Sequence, residues 1–233
     1  MGDDEAPQGS KNPGGRRKLE ADPRVRTALM AAASDVVRDE GVAALSVSLV
    51  LSRAQLSTRA FYRHFDSKDQ LISAVFLEMA RAETLRTREE MADAPNPVRA
   101  VAAWIDGRLD MAFNEEIRSD LRNISVEAQS QMFAVPDMVG PAYAEILRPL
   151  IEQLRHGSES GVFTDIDPDN EALSILGVVW SNLERHWATA GCDPNEIRDR
   201  VQRFCLRGIG VAPETITAVL HEDSQRPGMP IRV

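Results

Sequence analysis

Thr58, Arg59, Tyr62 and Arg63 fall within six residues, at spacings that put them on one face of a helix. Their types suit one chemistry. Arginine can donate two parallel N–H bonds to guanine, and threonine can touch a thymine methyl or a phosphate. Tyr62 and His64 stand where they can reach phosphate oxygens. Lys68 opens the next helix, where a cation beside free backbone N–H groups makes a phosphate seat. Together these features point to the reading of duplex DNA. The candidate contact set is Ser46, Ser57, Thr58, Arg59, Ala60, Tyr62, Arg63, His64 and Lys68.

Such a surface has to be held by two short helices pinned to a third. Ser46 can cap a helix running to Arg53, with Val47, Val50 and Leu51 inward. Ala54, Gln55 and Leu56 form the connection, with small Ala54 at the close approach and Leu56 plugging the turn. Ser57 caps the next helix to about His64, with Ala60, Phe61 and Phe65 facing inward. The supporting helix begins at Asp22-Pro23 and carries the stripe Leu29, Ala32, Ala33, Val36 and Val37. Gly41 ends it. Ser67-Lys68-Asp69-Gln70 has the form of a capping box and opens a fourth helix reaching about Met91.

Charge supports this placement. The net charge is −9, which taken alone argues against a polyanionic partner. Residues 11–74, however, hold eleven Lys/Arg against seven Asp/Glu. A basic block thus precedes an acidic body, and phosphate binding needs a local basic face. Arg16-Arg17-Lys18 lies in a Gly- and Pro-rich arm, residues 1–20, which reads as disordered. It is either a solvated tail or an arm reaching the DNA.

The remaining motifs are weak. The two cysteines, Cys192 and Cys205, make no disulfide framework and lack zinc-ligand spacing. Gly157-Ser-Glu-Ser-Gly161 imitates a nucleophile elbow but places Glu159 where serine is needed. His64, His156, His186 and His221 are scattered. Asn123-Ile124-Ser125 matches a glycosylation sequon in a chain whose N-terminus is no signal peptide. No apolar run is long enough for a membrane span. The expectation is therefore a cytoplasmic protein that is not an enzyme and has neither metal nor cofactor.

Residues Leu29 to Phe76 resemble the N-terminal domain of the tetracycline-repressor (TetR-type) regulators. The residues that carry the likeness are Leu29-Met30-Ala31-Ala32-Ala33, Gly41, Leu45-Ser46-Val47, Ala54, Leu56-Ser57, Phe61-Tyr62-Arg63-His64-Phe65 and Ser67-Lys68-Asp69-Gln70-Leu71. The family places glycine where this chain has Gln55, a departure in the turn itself. The resemblance implies an all-α fold: a three-helix helix-turn-helix domain over 21–74 and a helical ligand-binding and dimerisation domain over 75–210. It also implies a transcriptional repressor, released from a pseudo-palindromic operator by a small, mainly apolar ligand. Two other readings stay open: a regulator controlled by a protein partner, and, remotely, an all-α enzyme.

Beyond the Ala94–Pro97 linker, helices are expected over about 98–114, 115–132 and 139–157, with Pro149 kinking the last. Two more open at Asp167-Pro168 and Asp193-Pro194. Residues 211–220 hold at most a short turn in a tail, 211–233, that reads as disordered. The resemblance implies a homodimer, and the candidate dimer face is Ala172, Ile175, Leu176, Val179 and Leu183, joined by Ile197, Val201, Phe204 and Cys205. The other reading of this stripe is intramolecular core. Trp104, Met111, Phe113, Met132, Phe133, Tyr143 and Trp180 either line a ligand cavity or pack as core. Arg185 and His186 stand near Trp180 and could orient a polar group, or face solvent.

Overall fold

The computed structural model describes residues 22–113, 136–189 and 193–223. Arg16–Lys18, the helix expected over 115–132, the sequon at Asn123, Met132, Phe133 and Cys192 lie outside the described residues. Among the described residues every regular element is helical: α1 (Pro23–Glu40), α2 (Val47–Ala54), α3 (Thr58–His64), α4 (Lys68–Ala92), α5 (Pro97–Phe113), α6 (Pro136–Glu159), α7 (Pro168–Thr189), α8 (Pro194–Gly208) and α9 (Pro213–Asp223). None of these helices is long and apolar enough to cross a membrane.

Short polar side chains start the helices as the sequence predicts. The Arg24 amide donates to Asp22 Oδ1 at 2.9 Å, with Pro23 in the first helical position. Asp167 and Asp193 accept from the first-turn amides of α7 and α8. Gly41 closes α1 at φ 82°, donating its N–H to Val37 O. Arg53, at the end of α2, pairs with Asp39 at 3.0 Å and with Glu40, tying the ends of α1 and α2 together.

Two hydrophobic cores result. The first is built from the α1 stripe (Leu29, Ala32, Ala33, Val36, Val37) with Val50, Phe61, Phe65, Leu71 and Val75. The second joins α5, α7, α8 and α9 to the C-terminal half of α6. Two long helices cross from one core to the other. α4 places Leu71, Val75 and Phe76 in the first core and Met91 in the second. α6 places Met138, Val139 and Ala142 in the first and Leu147, Leu150 and Leu154 in the second. The boundary expected at 74/75 therefore falls inside α4.

α4 and α6 are joined by a specific contact as well as by packing. Pro149 lacks an N–H, so the carbonyl of Glu145, four residues before it, has no helical donor. The Thr84 hydroxyl of α4 donates to that carbonyl at 3.0 Å. Arg88 of α4 pairs with Glu152 of α6 at 2.7 Å. A buried ion pair, Arg108 of α5 with Glu83 of α4, lies nearby, and burial pulls the Arg108 guanidinium down to about 10. Its carbon Cζ also lies 5.9 Å from the Trp104 ring centroid.

Three expectations are corrected. α6 starts at Pro136 rather than about 139. The segment Gly157–Gly161 is the end of α6 and its turn. There the Val162 and Phe163 amides donate to Gly157 O at 2.8 and 3.0 Å. The Phe163 ring lies where a Cβ on residue 157 would sit. Residues 213–223 form a helix instead of a tail, because Ile216, Val219 and Leu220 are buried against the second core and Arg99 Nη1 donates to Val219 O at 3.0 Å.

Candidate nucleic-acid interface

α2 and α3 are short, and their geometry depends on their ends. Ser46 Oγ accepts from the Leu49 amide at 3.2 Å, and Ser57 Oγ from the Ala60 amide at 3.3 Å. Each bond satisfies an amide that would otherwise lack a partner in the first turn. Between the helices Gln55 adopts φ 53°, ψ 42°, the left-handed conformation, while the Leu56 amide donates to Leu51 O at 3.0 Å. The turn thus keeps the backbone that glycine normally supplies, and the Gln55 side chain is exposed.

One face of α3 is buried and the other is open. Phe61 and Phe65 are buried, with ring centroids 5.8 Å apart, and Arg26 of α1 lies over the Phe65 ring at 5.3 Å. Thr58, Arg59, Tyr62 and Arg63 are exposed, Tyr62 at 59%. Tyr62 also leans edge-on against Phe61, with centroids 5.2 Å apart. His64 and Ala60 are half-buried and Ser57 is exposed. Val50 is fully buried, whereas Val47, Leu51 and Leu56 are only half-buried.

Lys68 is exposed in the first turn of α4. The Ser67 cap accepts from the Gln70 amide at 3.1 Å, and Gln70 Oε1 accepts from the Asp66 amide at 2.6 Å. The reciprocal bond predicted for the capping box therefore lands one residue earlier than Ser67. The side chains of Ser46, Ser57 and Ser67 are used as caps, which leaves Thr58, Arg59, Tyr62, Arg63 and Lys68 as the solvent-facing group.

The other candidate sites are placed differently. Ala172, Ile175, Leu176, Val179, Leu183, Ile197, Val201 and Cys205 are all buried within the chain, in the second core. This corrects the expected dimer face. The apolar stripes of α7 and α8 turn inward, onto α5, α6 and each other. Phe204 alone of that set is open, at 64% exposure. Burial pushes the Cys205 thiol up to about 12, so it is an unreactive core side chain.

Of the candidate pocket residues, Trp104, Met111 and Trp180 are buried, and Phe113 and Tyr143 are half-buried against the same core. Phe113 meets His186 edge-on at 5.0 Å, and Trp180 meets Trp187 at 6.0 Å. Arg185 is exposed. Trp187 escaped the sequence reading, although its position seven residues after Trp180 puts it on the same helical face. The Arg108–Glu83 pair also escaped it, because sequence spacing does not show which long side chains meet across helices.

Comparison with known proteins agrees with this geometry. The family model for bacterial regulatory proteins of the tetR family matches residues 29–75, the span from α1 into α4. Uncharacterized HTH-type transcriptional regulators of Mycobacterium bovis and Mycobacterium tuberculosis are 29% identical over 135 residues, 57% of this chain and 61% of theirs. The aligned part of the chain thus spans about three-fifths of the length of these relatives. Two solved structures share the fold. RolR in complex with resorcinol superposes with a TM-score of 0.62 at 18% identity, covering 90% of this chain and 97% of that one. FadR from Bacillus subtilis in complex with stearoyl-CoA gives 0.61 at 16%, covering 78% and 98%. Residues 29–75 thus form an N-terminal domain of the tetR family of bacterial regulatory proteins, and the helices that follow share the fold of these solved structures.

Proposed function

We propose that this chain is a cytoplasmic, sequence-selective DNA-binding transcriptional regulator that reads a pseudo-palindromic operator as a homodimer. The observation that carries the reading is α3: a capped two-turn helix with Phe61 and Phe65 buried and Thr58, Arg59, Tyr62 and Arg63 open. A helix so mounted can enter the major groove. Thr58, Arg59 and Arg63 supply base choice, and Tyr62, His64 and Lys68 hold the phosphates. The direct test is selection of bound duplexes from a random pool at stated salt. Two half-sites about 10 base pairs apart or a multiple of that are expected, and an unstructured pool would sink the reading.

Point variants separate the roles. Arg59→Ala should cost about 1–3 kcal/mol on the preferred site and little on unrelated DNA. Equal loss on both would make Arg59 a phosphate contact. Lys68→Ala should weaken binding to all sequences and reduce the salt slope by about 1. An unaltered slope removes Lys68 from the interface.

The second copy is supported by the outer face of α8. Glu196, Asp199, Arg200, Arg203, Phe204 and Arg207 line a shallow hollow there. Its two acidic groups, Glu196 and Asp199, come first along the helix, and the basic groups Arg200, Arg203 and Arg207 follow. Two such helices crossing antiparallel about a two-fold axis set Glu196 and Asp199 against Arg203 and Arg207 of the other copy, with Phe204 near the centre. Leu173 and Gly177 of α7 are exposed as well.

The body is a repressor's effector domain in this reading. Solved relatives in fold hold resorcinol and stearoyl-CoA, which supports a small ligand as the signal here. Such a ligand acts by favouring a dimer in which the two α3 helices are mis-spaced. Its effect on DNA affinity is bounded by its own differential affinity for the two states.

A further inference from the structure

The last turns of α7 hold three buried polar atoms without a hydrogen-bond partner among the described residues. Trp180 is 9% exposed and buries its indole N–H. Nε1 of Trp187 and Nδ1 of His186 are likewise closed to solvent. None of the three has a hydrogen-bond partner among the described residues. Comparable groups nearby are satisfied: Trp104 Nε1 donates to Ile146 O at 3.4 Å, and Asn182 Nδ2 to Val178 O at 2.8 Å. Buried donors are paired in the great majority of cases, and an orphaned one is costly. Three on two turns of one helix ask for an occupant.

The chemistry of the orphans defines that occupant. An indole N–H donates and cannot accept. Two indoles therefore require acceptor lone pairs, and His186 Nδ1 can either accept a hydroxyl proton or donate. The surroundings are aromatic, with the Trp180–Trp187 centroids 6.0 Å apart at 64° and Phe113–His186 5.0 Å apart at 77°. Rings so arranged offer edge and face contacts to another planar ring. A hydrocarbon or an acyl tail would leave all three polar atoms unpaired.

Resting on the reading that the helical body takes a small ligand, we propose that Phe113, Trp180, His186 and Trp187 form a site for a small aromatic molecule bearing at least two oxygen acceptors, a hydroxylated or carbonyl-bearing benzene. The ring stacks among the side chains and the oxygens take the indole protons. The site stands at the junction of α5 and α7, within the core that α6 joins to the N-terminal helices.

The test is calorimetric titration of the full chain, without DNA, using methylparaben as probe and para-cymene as a hydrocarbon of similar shape. Methylparaben should bind at one per chain and at least about tenfold more tightly than para-cymene, the worth of a satisfied hydrogen bond. Trp187→Phe and Trp180→Phe keep a ring and remove the donor. Each should lose about tenfold for methylparaben and leave para-cymene unchanged. Far-ultraviolet circular dichroism checks folding. Should Trp180→Phe unfold, the half-buried Trp187→Phe and His186→Phe carry the same comparison. Equal affinity for both probes, no binding of methylparaben, or phenylalanine variants that bind like wild type would each overturn the proposal. A chain that selects an operator but ignores methylparaben fails this proposal alone. A chain that binds methylparaben but selects no operator fails the DNA-binding reading alone.

Discussion

Gln55 decides the angle at which α3 is presented, and it does so against its own preference. A side chain with a Cβ in the left-handed region costs roughly 1–2 kcal/mol, yet the backbone stays at φ 53°. The Leu56 amide bond to Leu51 O and the burial of Val50 and Phe61 on either side hold it there. Gln55→Gly should therefore raise stability by about 1 kcal/mol in urea unfolding, with operator affinity little changed. A destabilised glycine variant would show that the Gln55 side chain contributes something the exposed geometry does not account for. At this scale the sequence was highly legible. Ser46, Ser57 and Ser67 cap where their types predict, because capping is settled within three residues of chain. The outward set on α3 follows from Phe61 and Phe65 in the same way.

At the scale of elements, the Pro149 gap filled by Thr84 is the join between α4 and α6. Thr84→Val preserves shape but leaves the partly buried Glu145 carbonyl without a donor, at a cost of about 1–2 kcal/mol. In a Pro149→Ala background the alanine N–H returns to that carbonyl, so the same substitution should cost less than half as much. Equal costs in the two backgrounds would mean that the hydroxyl contact carries no energy. Nothing in the sequence marks Thr84 as the partner, since 61 residues separate it from Glu145. The stripes of α7 and α8 fail to declare themselves for a related reason. Periodicity shows that Ile175, Val179 and Val201 need cover, but it does not show whether the cover comes from this chain or from another. α9 was missed because Ile216, Val219 and Leu220 are too few to stand out from a short turn.

For the whole molecule, the proposed association rests on the open side of α7 and α8. Phe204 is the large apolar group there, 64% exposed in the single chain. Phe204→Asp should convert the dimer to monomers in sedimentation velocity without altering helical content. It should also weaken operator binding far more than binding to a single half-site. A variant that still sediments as a dimer would place the two-fold contact elsewhere. The charge order along α8 makes a second demand: reversing Glu196 and Arg207 together should preserve association, whereas reversing either alone should weaken it.

The crossing of α6 between the two cores limits how this protein can be taken apart. Met138, Val139 and Ala142 come from late in the chain, yet they finish the packing around Leu71 and Val75. A fragment ending at Ala92 would expose that seam and forgo burial worth roughly 4 kcal/mol, a large share of what a small domain has to spare. The N-terminal core is thus no cassette to be grafted onto another helical body by a single cut after α4. A working chimera would have to carry the first two turns of α6 along with it, because both cores are built on that one helix.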